Sequence, residues 1–539
     1  MSEDLAAGII KRWDKLKGNR GTWESHWEDV AKRVLPRYRD QFFSNTNQVA
    51  KGEKKTEDMF DSTASIALTR FAAIMESMLT PRNQKWHHLR PTNKDLAKLH
   101  NVKLYYEEVN NILFQQRYSP KANFASQLHE VYMTLGAFGT GGLFVDAHDK
   151  GGLRYKAVNL AELIFDMNHQ GIVDSSYRRF SQTTRQIMQQ VEVGRYKNVP
   201  DQIKSTLKED PDREWEVIHC IVPNKEQDPN RLDHRGMPYK SIHVLVEHKQ
   251  VVSESGYHTF RYGVSRYITG PNEIYGRSPA MSVLPSIKVI NEQKKTLLKQ
   301  GQRTVDPVLL THDDGVLDGF SLRSGAINAG AVNAQGQRLV HELPTGNIAA
   351  GQELMDMERQ TINDAFLVSL FQLLIDSPQK TATEVLTLAQ ERGMLVGPMM
   401  GRQQSELLAT TVEAEVDILA RQGLLPPMPQ ELIEAQGEFE LEYDSPLSRA
   451  QKAEEAAGYM RTMEAVTNLV SVTGDPAPFD NFNMDVIVPS IAEINAVPPS
   501  WMNSEDTMNK IRASRQQAAA EQQAIEAAPA AVGMMKEMQ

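Results

Sequence analysis

Apolar residues three and four apart mark the start of the chain as helical. Trp23, Trp27, Val30 and Val34 share one face, and Pro36 stops that helix. Residues 37–58 are polar and predict a surface loop. A second helix is expected from about Asp61 to Leu79, with Ile66, Phe71, Ile74 and Met78 as its stripe and Thr80-Pro81 as its stop. A third spans about Lys94 to Tyr118. Residues 1–135 therefore read as mostly helical, with the stripes packed into a core. Between 136 and 280 the apolar period shortens to two. Leu143-Phe144-Val145 and Leu163-Ile164-Phe165 are short apolar runs; Trp215, Val217, His219 and Ile221 alternate, as do Ile242, Val244 and Val246. These predict strands of a half-buried sheet, with one short helix at about Thr183 to Val193. The fold class is α+β, mainly α.

From Ser278 the period returns to that of a helix. Ser278 suits an N-cap and Pro279 the first helical position. Ala280, Leu284, Ile287 and Ile290 face one way, and Pro285 is expected to bend the first turns. Beyond Asn291 the helix turns polar and basic through Lys294, Lys295, Lys299 and Arg303. Residues 301–350 are rich in glycine, with Phe320 as their one aromatic, so they cannot build a core alone. They read as a module that becomes stable by pairing with neighbours. A further helix over 351–374 aligns Met355, Ile362, Phe366, Leu370 and Leu373. Asp376 to Lys380 breaks it, and Thr381 with Glu384 forms a capping box for the next. That helix is interrupted at Gly393, Gly397 and Pro398, resumes through Leu408, Val412, Val416 and Leu419, and ends at Gly423. Phe439, Leu441 and Tyr443 suggest a strand, and Ser445-Pro446 opens a helix to about Val472. The Ala- and Gln-rich end predicts a polar helix or disorder.

Composition narrows the chemistry. The 539 residues suffice for three or four structural units and large cores. The single cysteine, Cys220, excludes an internal disulfide and cysteine-built zinc sites. The net charge of −10 argues against tight reading of DNA sequence, because such proteins are usually basic. No apolar run approaches the roughly 18–20 residues of a membrane span, and the charged N-terminus does not suit a signal peptide. No glycine precedes a lysine, so the P-loop of ATPase motors is missing. His129-Glu130 and His341-Glu342 lack the second histidine of a zinc-protease helix, since Met133 and Thr345 stand in its place. Asp146 to Gly151 lacks the ligands of a calcium loop. His312-Asp313-Asp314 reads as turn chemistry and Trp86-His87-His88 as packing and surface. No catalytic, metal or cofactor site is expected.

Six stretches together resemble the portal, or head-to-tail connector, proteins of short-tailed (podovirus-type) bacteriophages. They are Trp27 to Arg37 (WEDVAKRVLPR), Asp61 to Trp86 with its run MLTPRNQKW, Leu135 to Val145 (LGAFGTGGLFV), Tyr275 to Leu309 from YGRSPA to VDPVLL, Thr381 to Val385 (TATEV), and Phe482 to Pro499 with the helix from Arg512. Each is weak alone; in family order along nearly the whole chain they are specific. Gly142-Leu143-Phe144 and Trp86-His87-His88 vary the family's wording without disrupting it.

The resemblance implies a ring, typically of twelve subunits, at one capsid vertex of the virion, assembled in the host cytoplasm. Double-stranded DNA would pass through it during packaging and ejection without sequence specificity. Residues 1–278 would form the wing, 279–302 and 351–373 two stem helices, and 303–350 the clip. Residues 374–383 would be the tunnel loop, 384–444 a kinked helix returning to the wing, 445–517 the crown, and 518–539 a tail, either barrel helix or disordered. Asp376, Ser377, Gln379 and Lys380 of the tunnel loop, and Lys294, Lys295, Lys299 and Arg303 of the stem, would line the DNA channel. The implied partners are further copies of the chain, major capsid and scaffolding proteins, the terminase large subunit, tail adaptors and internal core proteins, with no membrane. Twelve copies at −10 carry about −120, and like charge keeps a phosphate backbone from sticking. A nuclease or packaging ATPase is the competing enzyme reading, which the missing glycine–lysine pair and metal cluster oppose. A tail adaptor or internal core protein is the competing structural one.

Overall fold

The helical and alternating stretches separate into two kinds of layer. The computed structural model describes residues 2–43, 52–311, 321–343, 348–369, 397–435, 439–443, 446–474, 477–494, 497–504 and 506–520. The N-terminal part supplies α1 (Ser2–Asn19), α2 (Gly21–Ala31), α3 (Thr63–Leu79), strand β1 (His87–Pro91), α4 (His100–Arg117) and α5 (Phe124–Phe138). Strands β2 (Thr140–Ala147), β3 (Leu153–Val158), β4 (Leu163–Met167), β5 (Val173–Thr183), β6 (Glu214–Pro223), β7 (Tyr239–Leu245), β8 (Gln250–Tyr257) and β9 (Tyr262–Arg266) follow. β4 to β8 make a five-stranded antiparallel sheet in chain order, and β3-β2-β9 a three-stranded one. The α+β class stands.

Both faces of the larger sheet are covered. On one, Ile218 and Cys220 of β6 join Ile242 and Val244 of β7 under Ile9, Trp13 and Leu16 of α1. On the other, Trp215 and Val217 lie beneath α6 (Thr184–Glu192) and α7 (Asp201–Glu209), which contribute Ile187 and Ile203. Thr183 and Gln186 close a capping box at the start of α6.

The second predicted helix forms, but on a different face. Ala64, Ala67, Leu68, Phe71, Ala72, Met75 and Leu79 of α3 are buried, whereas Ile66 is 49% exposed and Ile74 and Met78 are half-buried. The reason is close packing on α5. A Cβ on Gly136 would stand 2.6 Å from Leu68 and 2.7 Å from Phe71. Helices that near select small residues for the contact, and alanine reads weakly as an apolar stripe.

The helix expected from 279 to 302 is two pieces, α8 (Pro279–Ser282) and α9 (Leu284–Val305). Pro285 does not bend a continuous helix; it lies in the first turn of α9, where its missing N–H has no intrahelical partner to lose. Strands β10 (Leu309–Thr311) and β11 (Val340–Glu342) pair beyond it. Helix α10 (Ile348–Ala365) starts before residue 351 and buries Met355 and Ile362, with Phe366 just past its end. Leu367, at φ 62°, takes the left-handed conformation there. Leu370 and Leu373 lie outside the described residues. Gly397 and Pro398 sit in helix, and Gly393 lies outside the described residues; further on, a π-helical segment, Gln403–Leu408, runs into the α-helix Ala409–Arg421. The expected strand is β12 (Phe439–Tyr443), which pairs antiparallel with β1 from His87 opposite Tyr443 to Pro91 opposite Phe439. His87 is thereby fully buried. Helices Pro446–Thr473 and Met484–Ile494 follow, with a last helix over 506–520.

Candidate functional site: α9, α10 and their root

Two glycines far apart in sequence meet where the chain leaves the sheets for α8. Gly139 ends α5 at φ 75°, and its main chain lies against Gly276: a Cβ on either would stand 2.2 Å from the other's carbonyl oxygen. No other residue fits either position. Around this contact Tyr267 N donates to Gly139 O at 2.9 Å, and Gly276 N to Thr140 Oγ1 at 2.8 Å. The Ser278 hydroxyl donates to Ala137 O at 2.8 Å and accepts from Met281 N at 2.9 Å, so the predicted N-cap also ties α8 to the end of α5. Trp27 Nε1 donates to Phe138 O at 3.0 Å, and its ring meets Tyr275 edge-on at 5.1 Å. Buried Arg20 stands over Trp27 and donates to Leu160 O and Leu163 O at 3.1 and 2.6 Å.

A second set of contacts holds α9 and α10 to the loop before α3. Asn291 Oδ1 of α9 accepts from Phe60 N at 2.7 Å, and its Nδ2 donates to Asp58 O at 2.9 Å. Arg359 of α10 pairs with Asp61 at 3.0 Å. Lys288 pairs with Asp29 of α2 at 2.5 Å. Asp61 titrates below the usual aspartate range: burial opposes its charge, but Thr63 and Arg359 stabilise the carboxylate.

The structure does not gather all four predicted stem cations. At about 100° per residue, Lys295, Lys299 and Arg303 fall on one side of α9 and Lys294 points away. Lys294 and Lys295 are half-buried, while Lys299 and Arg303 are exposed. The Lys295 ammonium stands 5.5 Å from the Phe60 ring. Asp376, Ser377, Gln379 and Lys380 lie outside the described residues, as does His312-Asp313-Asp314. In 303–343, no side chain is buried among those described. Among the described residues there is no cluster able to hold a metal and no helix long and apolar enough to cross a membrane.

Sequence reasoning missed a buried charge node that anchors the returning helix. Arg117 and Glu415, both 0% exposed, form a bidentate pair, with Nε to Oε1 at 3.0 Å. The Tyr155 hydroxyl donates to the same Oε1 at 2.7 Å, and the Arg117 guanidinium lies 4.6 Å over Trp86. Burial works against the Arg117 charge, and Glu415 more than restores it, so the group stays charged. Nearby, Arg266 of β9 grips Glu406 in the π segment with two bonds of 2.7 Å. Gln403 Nε2 donates to Arg266 O at 2.7 Å. In sequence these residues read as ordinary surface charges, and no spacing joins positions so far apart.

Comparison with known proteins agrees with the six stretches. The probable portal protein of Bordetella phage BPP-1 is 29% identical over 528 residues, which is 95% of this chain and 92% of that protein. The portal protein of Salmonella phage epsilon15 is 26% identical over 537 residues, 97% of this chain and 94% of that protein. The family model of the bacteriophage head to tail connecting protein matches residues 6–502, so the chain belongs to that family.

Proposed function

We propose that the chain is the portal subunit of a phage capsid, a structural protein that assembles as a ring at one vertex and conducts double-stranded DNA. The observation that carries this reading is the family match over 6–502. It is supported by the segment 303–343, which exposes Leu310, Leu322, Ile327 and Val332 and buries nothing among its described residues. A segment so poor in core gains its stability from other chains. On this reading 1–278 is the wing, 279–302 with 351–373 the stem, 303–350 the clip, 374–383 the tunnel loop, 384–444 the return to the wing and 445–517 the crown. The ring holds about twelve subunits. Its partners are capsid and scaffolding proteins, the terminase large subunit, tail adaptors and internal core proteins. DNA is touched weakly through its phosphates, without sequence preference. Negative-stain microscopy of the purified chain tests this. Rings with an axial channel and no ATP or DNA hydrolysis are expected; a monomer that cleaves DNA would replace the conduit with the enzyme reading.

A further inference from the structure

The flanks of the stem pair differ in shape. Along one runs an open groove of about 520 Å³, walled by Val289, Thr296 and Leu297 of α9 and by Gly351 and Leu354 of α10. Gly351 leaves little to spare, since a Cβ there would lie 3.3 Å from Leu297. Val289 is 43% and Leu354 54% exposed. Gln293 also lines the groove, and its Oε1 is shut from solvent without a hydrogen-bond partner. The opposite flank carries a ridge. Leu298, 50% exposed, stands about 180° around α9 from Val289 at 100° per residue. It shares the side on which Asn291 holds the 58–61 segment, and there Phe60, 38% exposed, rises beside Lys295.

We propose that the ridge of one subunit seats in the groove of the next, Leu298 and Phe60 against Val289, Leu297 and Leu354. This rests on the ring reading and names the surfaces that close it. Three observations select a second copy of the chain as the occupant. First, a cyclic ring needs two different, complementary patches on opposite flanks, and the stem has a knob on one and a hollow on the other. Second, both lie along the same stretch of α9, so rotation about an axis parallel to the stem brings them to one height. Third, the charges match: Lys294 and Lys295 border the ridge, Glu292 lines the groove, and Lys288, which also lines it, is already paired with Asp29. With both flanks covered, the outward sides of α9 and α10 remain free, and one of them faces the channel.

The test uses full-length Leu298→Asp and Leu354→Asp chains, sized by native mass spectrometry beside the parent. The parent is expected to form rings, and each variant to lose them while keeping its far-ultraviolet circular dichroism. Mixed in equal amounts, the intact ridge of L354D fits the intact groove of L298D only once, so the mixture should stop at dimers. Rings from either variant alone at the parent's yield, or a mixture that stays monomeric, would overturn the seam. A double variant, Leu298→Cys with Leu354→Cys, covers a failure of either aspartate chain to fold. Its oxidation should give a ladder of covalent multimers on a denaturing gel, because buried Cys220 adds no background. Only monomers on that gel, from a chain that still forms rings, would count against the seam alone. A parent that makes no rings overturns the ring reading and the seam with it.

Discussion

Arg117 and Glu415 show how much one buried pair can decide. Neither has access to water, so each is tolerable only because the other is present. Glu415→Gln keeps the shape and strips the charge, leaving an uncompensated guanidinium against Trp86 and Phe124. The variant is expected to lose about 3 kcal/mol, read as a lower guanidinium midpoint of the full chain. A second residue-scale effect comes from the stacked imidazoles of His219 and His243, 4.0 Å apart and 6° from parallel. Burial, then the charges of Arg195 and Arg178, lowers His243 to about 3. Burial, then His243 and Arg178, holds His219 well below the usual range. The unfolded chain takes up these protons below about 6.5, whereas the fold refuses them. Their contribution is therefore complete above that pH and is lost as acid is added, by up to ~1.4 kcal/mol per pH unit for each imidazole. His243→Phe should flatten the fall in thermal midpoint between about pH 6 and 4. A limb as steep as the parent's would mean that other groups cause it.

Among elements, those set by a local rule were legible and those set by distant contacts were not. The alternation at Trp215, Val217, His219 and Ile221 does become β6, and Ser278 does cap the stem helix. The buried face of α3 was misread because Gly136, some 60 positions away, decides it by letting the two helices touch. The π segment had no readable signal either: its extra residue is fixed by Gln403 reaching β9 and by Arg266 gripping Glu406. Of the candidate site, the basic character of α9 was plain, but a list of lysines could not tell that Lys295 lies against Phe60 while Lys299 and Arg303 stay free. That distinction sharpens the expected behaviour of the stem. Lys299→Glu with Arg303→Glu should leave ring formation intact if their side of α9 faces the channel. Particles carrying the pair should then hold less DNA, with a weaker dependence on salt, because phosphate contacts are lost. Genome length and salt response equal to the parent's would put that face on the outside.

For the whole molecule, the uneven distribution of core is the feature with most leverage. On the proposed division the wing packs aromatic clusters such as Trp27, Phe42 and Phe138, while the clip has no buried side chain among its described residues. Removing residues 310–345 should therefore spare the fold of the wing, with unchanged near-ultraviolet dichroism, but leave monomers or loose rings that no longer take up a tail. Intact rings that still bind the tail would show that the clip is dispensable for closure. The root at Gly139 and Gly276 has a different consequence, a mechanical one. Side-chain contacts give under load, because rotamers can switch and long chains can bend. Here the chain entering α8 meets the sheet main chain to main chain, through Gly276 against Gly139 and through Arg277 N to Ile268 O at 2.6 Å. Such a joint has almost no slack. On the channel reading proposed above, a twist or push delivered along α9 by passing DNA would reach strands β2 and β9 as displacement rather than be absorbed as rearrangement at the joint. The wing, and whatever shell surrounds it, would then sense the state of the channel with the stiffness of a shaft set in its bearing.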